Sequence, residues 1–130
     1  MSLSFAVLTT GLLFGGMTLY SFGFAGFLFT ALPADVAGAT LRRAFPLFYL
    51  FVIVTAALAS AFLWPHDVMA AVLMAGVAIT TVPSRQFLMP AINAATDSGQ
   101  RGRFKWLHGA SVVITLAHIV AAGCVLVRLV

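Results

Sequence analysis

The chain has 130 residues, of which 62% are hydrophobic and only 8% are charged. A soluble domain of this length cannot bury so much apolar surface, because small domains leave a large share of their surface exposed. The formal charge is +4, but the few cations stand at the ends of apolar runs, where they orient a membrane protein and do not indicate nucleic-acid binding. We therefore expect one transmembrane domain over residues 1–130, with the lipid bilayer as its main partner.

The first apolar run extends from Leu3 to Leu32 without a charge. It exceeds the roughly 20 residues that a membrane-spanning helix needs, so we expect it to tilt or protrude. No cationic segment precedes it, which favours a retained span over a signal peptide. Gly11 and Gly15 stand four residues apart, a spacing that lets two helix backbones approach closely in lipid. We expect this glycine face to pack against a helix of the same chain, with a second copy as the alternative.

Pro33 interrupts this run, and residues 35–45 read as a short amphipathic connector that carries Arg42 and Arg43. Pro46 is expected to open the second span, which covers residues 46–64. A tight turn follows at residues 65–67, where Asp67 is a plausible N-cap for the third helix.

The third span is predicted over residues 68–90, and its helix is expected to continue past the membrane surface as far as Thr96. Arg85 falls about 26 Å along the helix axis from Val68, at the membrane boundary. There it serves either as an interfacial anchor or as a contact for an anion or lipid headgroup. Pro83 and Pro90 are expected to break or kink this helix, and Asn93 is a candidate to cap or bridge the irregular stretch.

The fourth span is predicted over residues 104–129 and contains four polar side chains: His108, Ser111, Thr115 and His118. At about 100° per residue they project into a sector of roughly 80°. Such a stripe should face the bundle, because unsatisfied polar groups in hydrocarbon are costly. For Ser111 and Thr115 a structural role is the favoured interpretation, because such hydroxyls often bond to their own helix backbone. For His108 the structural and the functional interpretation have equal weight. His118, near mid-bilayer, is the strongest candidate for a functional group, and we expect it to face the first or second span.

Cations mark one end of the predicted bundle. Arg42 and Arg43 lie in the first connection, the third connection is bordered by Arg85, Arg101, Arg103 and Lys105, and the second connection has none. By the positive-inside rule, connections one and three face the cytoplasm, and both termini lie outside the cell membrane. Arg128 is the exception to this pattern. The short connections make neighbouring helices antiparallel, so the expected fold is an all-α integral membrane four-helix bundle with up-down-up-down topology.

Residues 103–113, RFKWLHGASVV, resemble the RF-x-x-LH-G-x-S-V stretch of a family of small membrane proteins. The family is typified by transmembrane protein two-hundred-and-five and its bacterial relatives, and its function is unknown. Weaker similarities follow in the same order along the chain: the glycine-rich residues 11–17, the connector at residues 41–46 with Tyr49, and Pro83, Arg85, Met89, Pro90 and Asn93 in the third span. The resemblance implies four spans and supplies no catalytic residue.

Two functions compete. The favoured one is a non-enzymatic bundle that binds or moves a small solute, or that stabilises a homo-oligomer or larger membrane complex. The alternative is a haem- or porphyrin-binding redox protein that uses His108 or His118. The residues show no catalytic set and no metal motif. Asp35, Asp67 and Asp97 all lie at connections, which argues against a transporter built on an acidic proton relay.

Overall fold

The computed structural model describes residues 2–130, which form four long helices joined by short turns. We name them α1 (Ser2–Ala31), α2 (Ala34–Leu63), α3 (Val68–Asp97) and α4 (Arg101–Leu129). The described residues contain no strand. Each helix is long and apolar enough to cross a membrane, so the chain is an all-α integral membrane bundle.

The helices form a ring in which α1 packs against α2 and α4, and α3 packs against the same two neighbours. Short turns make consecutive helices antiparallel, so the up-down-up-down prediction is confirmed. The core lies between the helices, and its largest fully buried apolar side chains are Leu13, Met17, Leu63, Met74, Val52 and Val125. Outward-facing side chains are also largely apolar, as expected of a surface that lipid covers.

Buried alanines on α2 and α3 make the most extensive helix contact in the bundle. Ala56 and Ala59 on α2, and Ala70 and Ala71 on α3, have no exposed surface. Ser60 Oγ on α2 donates a hydrogen bond to the Ala71 carbonyl at 2.8 Å. Small residues allow this close approach, which replaces the hydrophobic driving force that is missing in lipid.

The expectation that Gly11 and Gly15 pack against a helix of the same chain is wrong. A Cβ atom added at Gly11 or Gly15 would meet nothing within 4 Å. The close approaches lie elsewhere: a Cβ at Gly16 would lie 2.7 Å from the Phe51 ring, and a Cβ at Gly123 would lie 3.2 Å from the Phe14 ring. The buried face of α1 instead carries Ala6, Thr10, Leu13 and Met17.

The second helix begins at Ala34, so Pro46 does not open it. The expected connector over residues 35–45 is the first part of α2, and Pro46 lies inside the helix. Membrane helices tolerate proline when neighbouring groups satisfy the backbone that it frees. The carbonyl that Pro46 frees is that of Arg42, four residues earlier. Arg85 Nε on α3 donates to the carbonyl of Pro46 itself, at 3.1 Å, and so joins the two helices beside the proline.

Two π-helical segments interrupt the α-helical geometry, Leu19–Phe24 in α1 and Ser84–Leu88 in α3. The second begins directly after Pro83, which has no N–H to continue the hydrogen-bond ladder. Neither Pro83 nor Pro90 breaks α3, and the helix continues through Thr96 to Asp97. The predicted irregularity therefore takes the form of an inserted residue within a continuous helix.

The turns and ion pairs fix both ends of the bundle. Asp67 caps α3 as predicted, since its Oδ1 accepts the Ala70 N–H at 3.1 Å. Gly99, with φ of 69°, allows the turn between α3 and α4. Arg42 on α2 forms an ion pair with Asp97 on α3 at 2.9 Å. We call this the arginine-rich end; it carries Arg42, Arg43, Arg85, Arg101, Arg103 and Lys105.

Candidate functional site

A small cavity with several polar groups lies within the bundle, and side chains from all four helices line it. Its volume is about 10 Å³, close to the space that one water molecule needs. The lining combines hydroxyls, one imidazole and apolar walls, contributed by Met17, Phe48, Tyr49, Val52, Thr81, Ser84, Ser111, Ile114, Thr115 and His118. We call it the interior cavity.

Three of the predicted stripe residues of α4 reach this cavity. Ser111, Thr115 and His118 line it, as expected for one helix face. Ser111 Oγ lies 3.5 Å from the Tyr49 hydroxyl of α2, and either oxygen can donate to the other. These side chains therefore point into the bundle, although their use in binding stays a prediction.

His118 contacts a helix other than the expected ones. Its Nε2 lies 2.8 Å from Thr80 Oγ1 of α3, whereas the first and second spans, which it was expected to face, share the interior cavity with it, through Met17 and Phe48. In the ring, α4 lies between α1 and α3. The Thr80 hydroxyl also donates to the Gly76 carbonyl of its own helix at 2.7 Å. Thr80 Oγ1 is therefore placed to accept a hydrogen bond from the imidazole N–H while its own hydroxyl donates to the backbone.

His108 lies away from the cavity. Its side chain is exposed and stacks on Phe104, with ring centroids 5.3 Å apart. Ten residues, about 15 Å along the helix axis, separate it from His118, so the two histidines do not converge on one ligand. Over residues 2–130, no group of three or more histidine, cysteine or acidic side chains is arranged to hold a metal ion.

Arg85 and Asn93 serve contacts between helices. Arg85, next to the cavity-lining Ser84, bonds to the Pro46 carbonyl through Nε and to Gln86 Oε1 through Nη1 at 2.9 Å. Asn93 contributes its backbone carbonyl, which accepts from Arg42 Nη2 at 3.4 Å. Arg85 thus stands at the arginine-rich side of the cavity, whereas Asn93 belongs to the ion pair at that end.

Sequence reasoning missed the side of the cavity that faces α4. Tyr49, Thr81 and Ser84 supply hydroxyls from α2 and α3. A usable signal was present, because Thr80, Thr81 and Ser84 repeat the three-to-four-residue spacing of the α4 stripe. Thr81 and Ser84 donate to carbonyls of their own helix, at 2.6 and 3.2 Å. Their oxygen lone pairs remain free to accept from a guest in the cavity.

The interior cavity does not fit haem. Pockets for drug-sized ligands measure roughly 300–1,000 Å³, whereas this one has about 10 Å³. The Nε2 atom of His118 is also hydrogen-bonded to Thr80. The residues around His118 therefore give no support to the porphyrin alternative.

Residues 8–101 match the family model of a domain of unknown function, DUF4149. No curated protein and no solved structure matches the chain. The match agrees with an uncharacterised family, as the resemblance implied, but it does not extend to the name of transmembrane protein two-hundred-and-five. Residues 103–113, which carried the strongest part of that resemblance, lie outside the matched segment.

Proposed function

We propose that this chain, which belongs to the DUF4149 family of unknown function, binds a small neutral polar solute inside the membrane as a step in its passage. The single observation that supports this is the interior cavity, to which all four helices contribute. Its size limits the solute to about that of a water molecule. Water and ammonia are the simplest molecules of this class, and the role is non-enzymatic.

The lining favours a neutral guest over an ion. Among the described residues, those around the cavity offer hydroxyls and one imidazole but no carboxylate. Burying a cation without an opposite charge is costly. Arg85 adds a fixed positive charge beside Ser84 at the arginine-rich side, and such a charge raises the barrier for cations in selective pores.

Toward the turn at Asp67 the core becomes largely apolar. Between the cavity and the turn at Asp67, the core contains Leu13, Leu63, Met74 and Val125, each with no exposed surface. This packed region supports the interpretation of the present conformation as one closed toward the Asp67 end. Passage then requires the apolar part of the core to separate, whereas binding does not.

The charge distribution supports a cell-membrane orientation with the arginine-rich end in the cytoplasm and both termini outside. Arg128 lies at the opposite end but is paired with Asp67 at 2.8 Å. The exception to the positive-inside pattern is therefore locally neutral. Binding of a second copy of the chain to the open face at Gly11 and Gly15, or assembly into a larger membrane complex, stays a prediction.

Permeability of proteoliposomes tests the proposed function. Purified protein in vesicles should raise the rate of shrinkage after an osmotic step, or of internal alkalinisation after ammonia is added, above that of protein-free vesicles. Thr115→Val keeps the shape of a cavity-lining side chain but removes its hydroxyl, so it should at least halve the added rate. Thr96→Val, at an exposed position at the arginine-rich end, is the matched control. Equal rates with and without protein, for both solutes, would overturn the proposal.

A further inference from the structure

An apolar groove runs along the outside of the bundle between α1 and α2. Its volume is about 450 Å³, and its walls are Leu12, Gly16, Leu19, Tyr20, Leu47, Phe48 and Phe51. We call it the α1–α2 groove. It is independent of the interior cavity, although Phe48 borders both.

The absence of a side chain at Gly16 shapes the floor of the groove. The Phe51 ring occupies the space where a Cβ of residue 16 would lie, at 2.7 Å. The rims are leucines that remain largely exposed: Leu12 at 59%, Leu19 at 70% and Leu47 at 68%. At the end of the groove nearer the arginine-rich end, the Tyr20 hydroxyl donates a hydrogen bond to the Ala44 carbonyl at 2.9 Å. Because this hydroxyl already has a partner, the wall of the groove at Tyr20 has no free polar group. The groove thus presents a continuous apolar surface to the bilayer.

The end of the groove near Leu19 and Leu47 points toward the arginine-rich end. Arg43 stands four residues before Leu47, one turn away on the same face of α2. Its side chain is exposed and, among residues 2–130, has neither an ion pair nor a hydrogen bond. Its neighbour Arg42 is already held by Asp97. The Arg43 side chain is therefore a positive charge without a partner among the described residues, placed near the lipid headgroups at one end of the α1–α2 groove.

We propose that the α1–α2 groove binds one acyl chain of an anionic phospholipid, whose phosphate is held by Arg43. From Leu12 to Leu19 the groove follows α1 for about 10 Å, directed along the membrane normal as an acyl chain is. The charge at its end matches a phosphate, with which the arginine fork forms charge-assisted hydrogen bonds. A second copy of the chain would place its own apolar helix in the α1–α2 groove but would leave Arg43 without an anion.

Native mass spectrometry of the intact protein in detergent, with added phosphatidylglycerol or phosphatidylcholine, tests this assignment. The parent should bind the first phosphatidylglycerol about fivefold more tightly than phosphatidylcholine, the ratio expected for one basic side chain at the membrane surface. Arg43→Gln should abolish that preference. Arg103→Gln removes an exposed charge on α4, away from the groove, and should preserve it. Equal losses in the two variants would show a diffuse charge effect and overturn the proposal.

The apolar part of the site needs its own variant. Leu12→Trp fills the groove from an exposed rim, so it should weaken the binding of both lipids without loss of helical content. Leu116→Trp is the matched control on α4, at a side chain 43% exposed, and should leave lipid binding unchanged. If Leu12→Trp instead converts a dimer into a monomer, with lipid binding unaltered, the groove is an interface between copies and the lipid assignment fails.

Discussion

Arg128 Nε donates a hydrogen bond to Asp67 Oδ2 at 2.8 Å and so joins the last turn of α4 to the N-cap of α3. The two residues are far apart in sequence, and periodicity alone gave no reason to pair them. Asp67 thus both pairs with Arg128 and caps α3, since its other oxygen, Oδ1, accepts a hydrogen bond from the Ala70 N–H. This pair closes the end of the bundle opposite the arginine-rich end.

The first prediction concerns acid stability. The hydrogen bond from Arg128, and then that from the Ala70 N–H, hold the pKa of Asp67 below its ordinary value of 3.8. A lowered carboxyl pKa contributes stability that is present above the ordinary value and is lost as the pH falls through the lowered pKa. We expect Asp67→Asn to lower the melting temperature at pH 7, and the difference from the parent to shrink below pH 3.8. Circular dichroism melts in an acid-stable detergent measure this.

Asp35→Asn is the matched control for that experiment, because Asp35 has no ion pair within the described chain. Its difference from the parent should be smaller at pH 7. A constant gap between Asp67→Asn and the parent from pH 7 to pH 3 would contradict the role assigned to the ion pair.

The second prediction concerns orientation. In a Cys124→Ser background, single cysteines at Gly38 and Ser98 should react with a membrane-impermeant maleimide only from the cytoplasmic side. A cysteine at His66 should react only from outside. Ser98 is preferable to Gly99 as a probe site because the positive φ of Gly99 disfavours a side chain. Reaction of positions 66 and 98 from the same side would contradict the four-span topology.

The third prediction concerns the packing of α1. Leu13 has no exposed surface, so Leu13→Ala should destabilise the bundle by about 2–5 kcal/mol, as for other buried leucines. Gly15 faces open space, so Gly15→Leu should change monomer stability by no more than about 0.5 kcal/mol. Unfolding of the monomer in mixed micelles measures both. A large loss for Gly15→Leu, accompanied by a loss of dimer, would instead identify the glycine face as an interface between copies.

The fourth prediction concerns Thr10, whose hydroxyl is buried without a hydrogen-bond partner among the described residues. An unsatisfied buried polar group costs about 1–3 kcal/mol. Thr10→Val keeps the shape and removes the polar group, so it should raise the free energy of unfolding by about 1 kcal/mol. Thr81→Val is the control, because the Thr81 hydroxyl has a partner in the Val77 carbonyl. Greater stabilisation by Thr81→Val than by Thr10→Val would contradict this reasoning.

The fifth prediction concerns the pair formed by His118 and Thr80. A double-mutant cycle with His118→Ala and Thr80→Ala should give a coupling energy of about 0.6 kcal/mol, the average for hydrogen bonds between membrane helices. Unfolding free energies of the four proteins provide it. His118→Gln should retain most of the stability, since an amide can both donate and accept. Zero coupling would mean that the contact is not formed in detergent.

The sequence predicted the number of helices, their connectivity and the inward direction of Ser111, Thr115 and His118, because long apolar runs and helical spacing are local signals. It did not predict which helix each face meets. Gly11 and Gly15 have the expected spacing yet face outward. Alanines without a distinctive pattern, such as Ala59 and Ala71, instead lie buried in the most extensive contact between helices. The choice between such seams depends on the packing of the whole bundle.

Prolines illustrate the same limit. Pro33 lies just beyond the end of α1, as expected, but Pro46 and Pro83 lie within helices. Beside Pro46, Arg85 of another helix donates a hydrogen bond to the Pro46 carbonyl. A rule that considers only neighbouring residues has no access to such a contact. Among the cavity residues that were missed, Thr81 and Ser84 on α3 had a local signal in their spacing, whereas Tyr49 on α2 stood alone.

The pairing of Arg128 with Asp67 also gives the molecule an electrical asymmetry. Once these two charges cancel, the +4 formal charge of the chain resides at the arginine-rich end, where six cations face Asp35 and Asp97. Moving one elementary charge through the membrane potential is worth about 2.3 kcal/mol per 100 mV. In the proposed orientation an inside-negative potential therefore holds the bundle in place during and after insertion. A collapse of that potential removes part of the bias against the inverted topology.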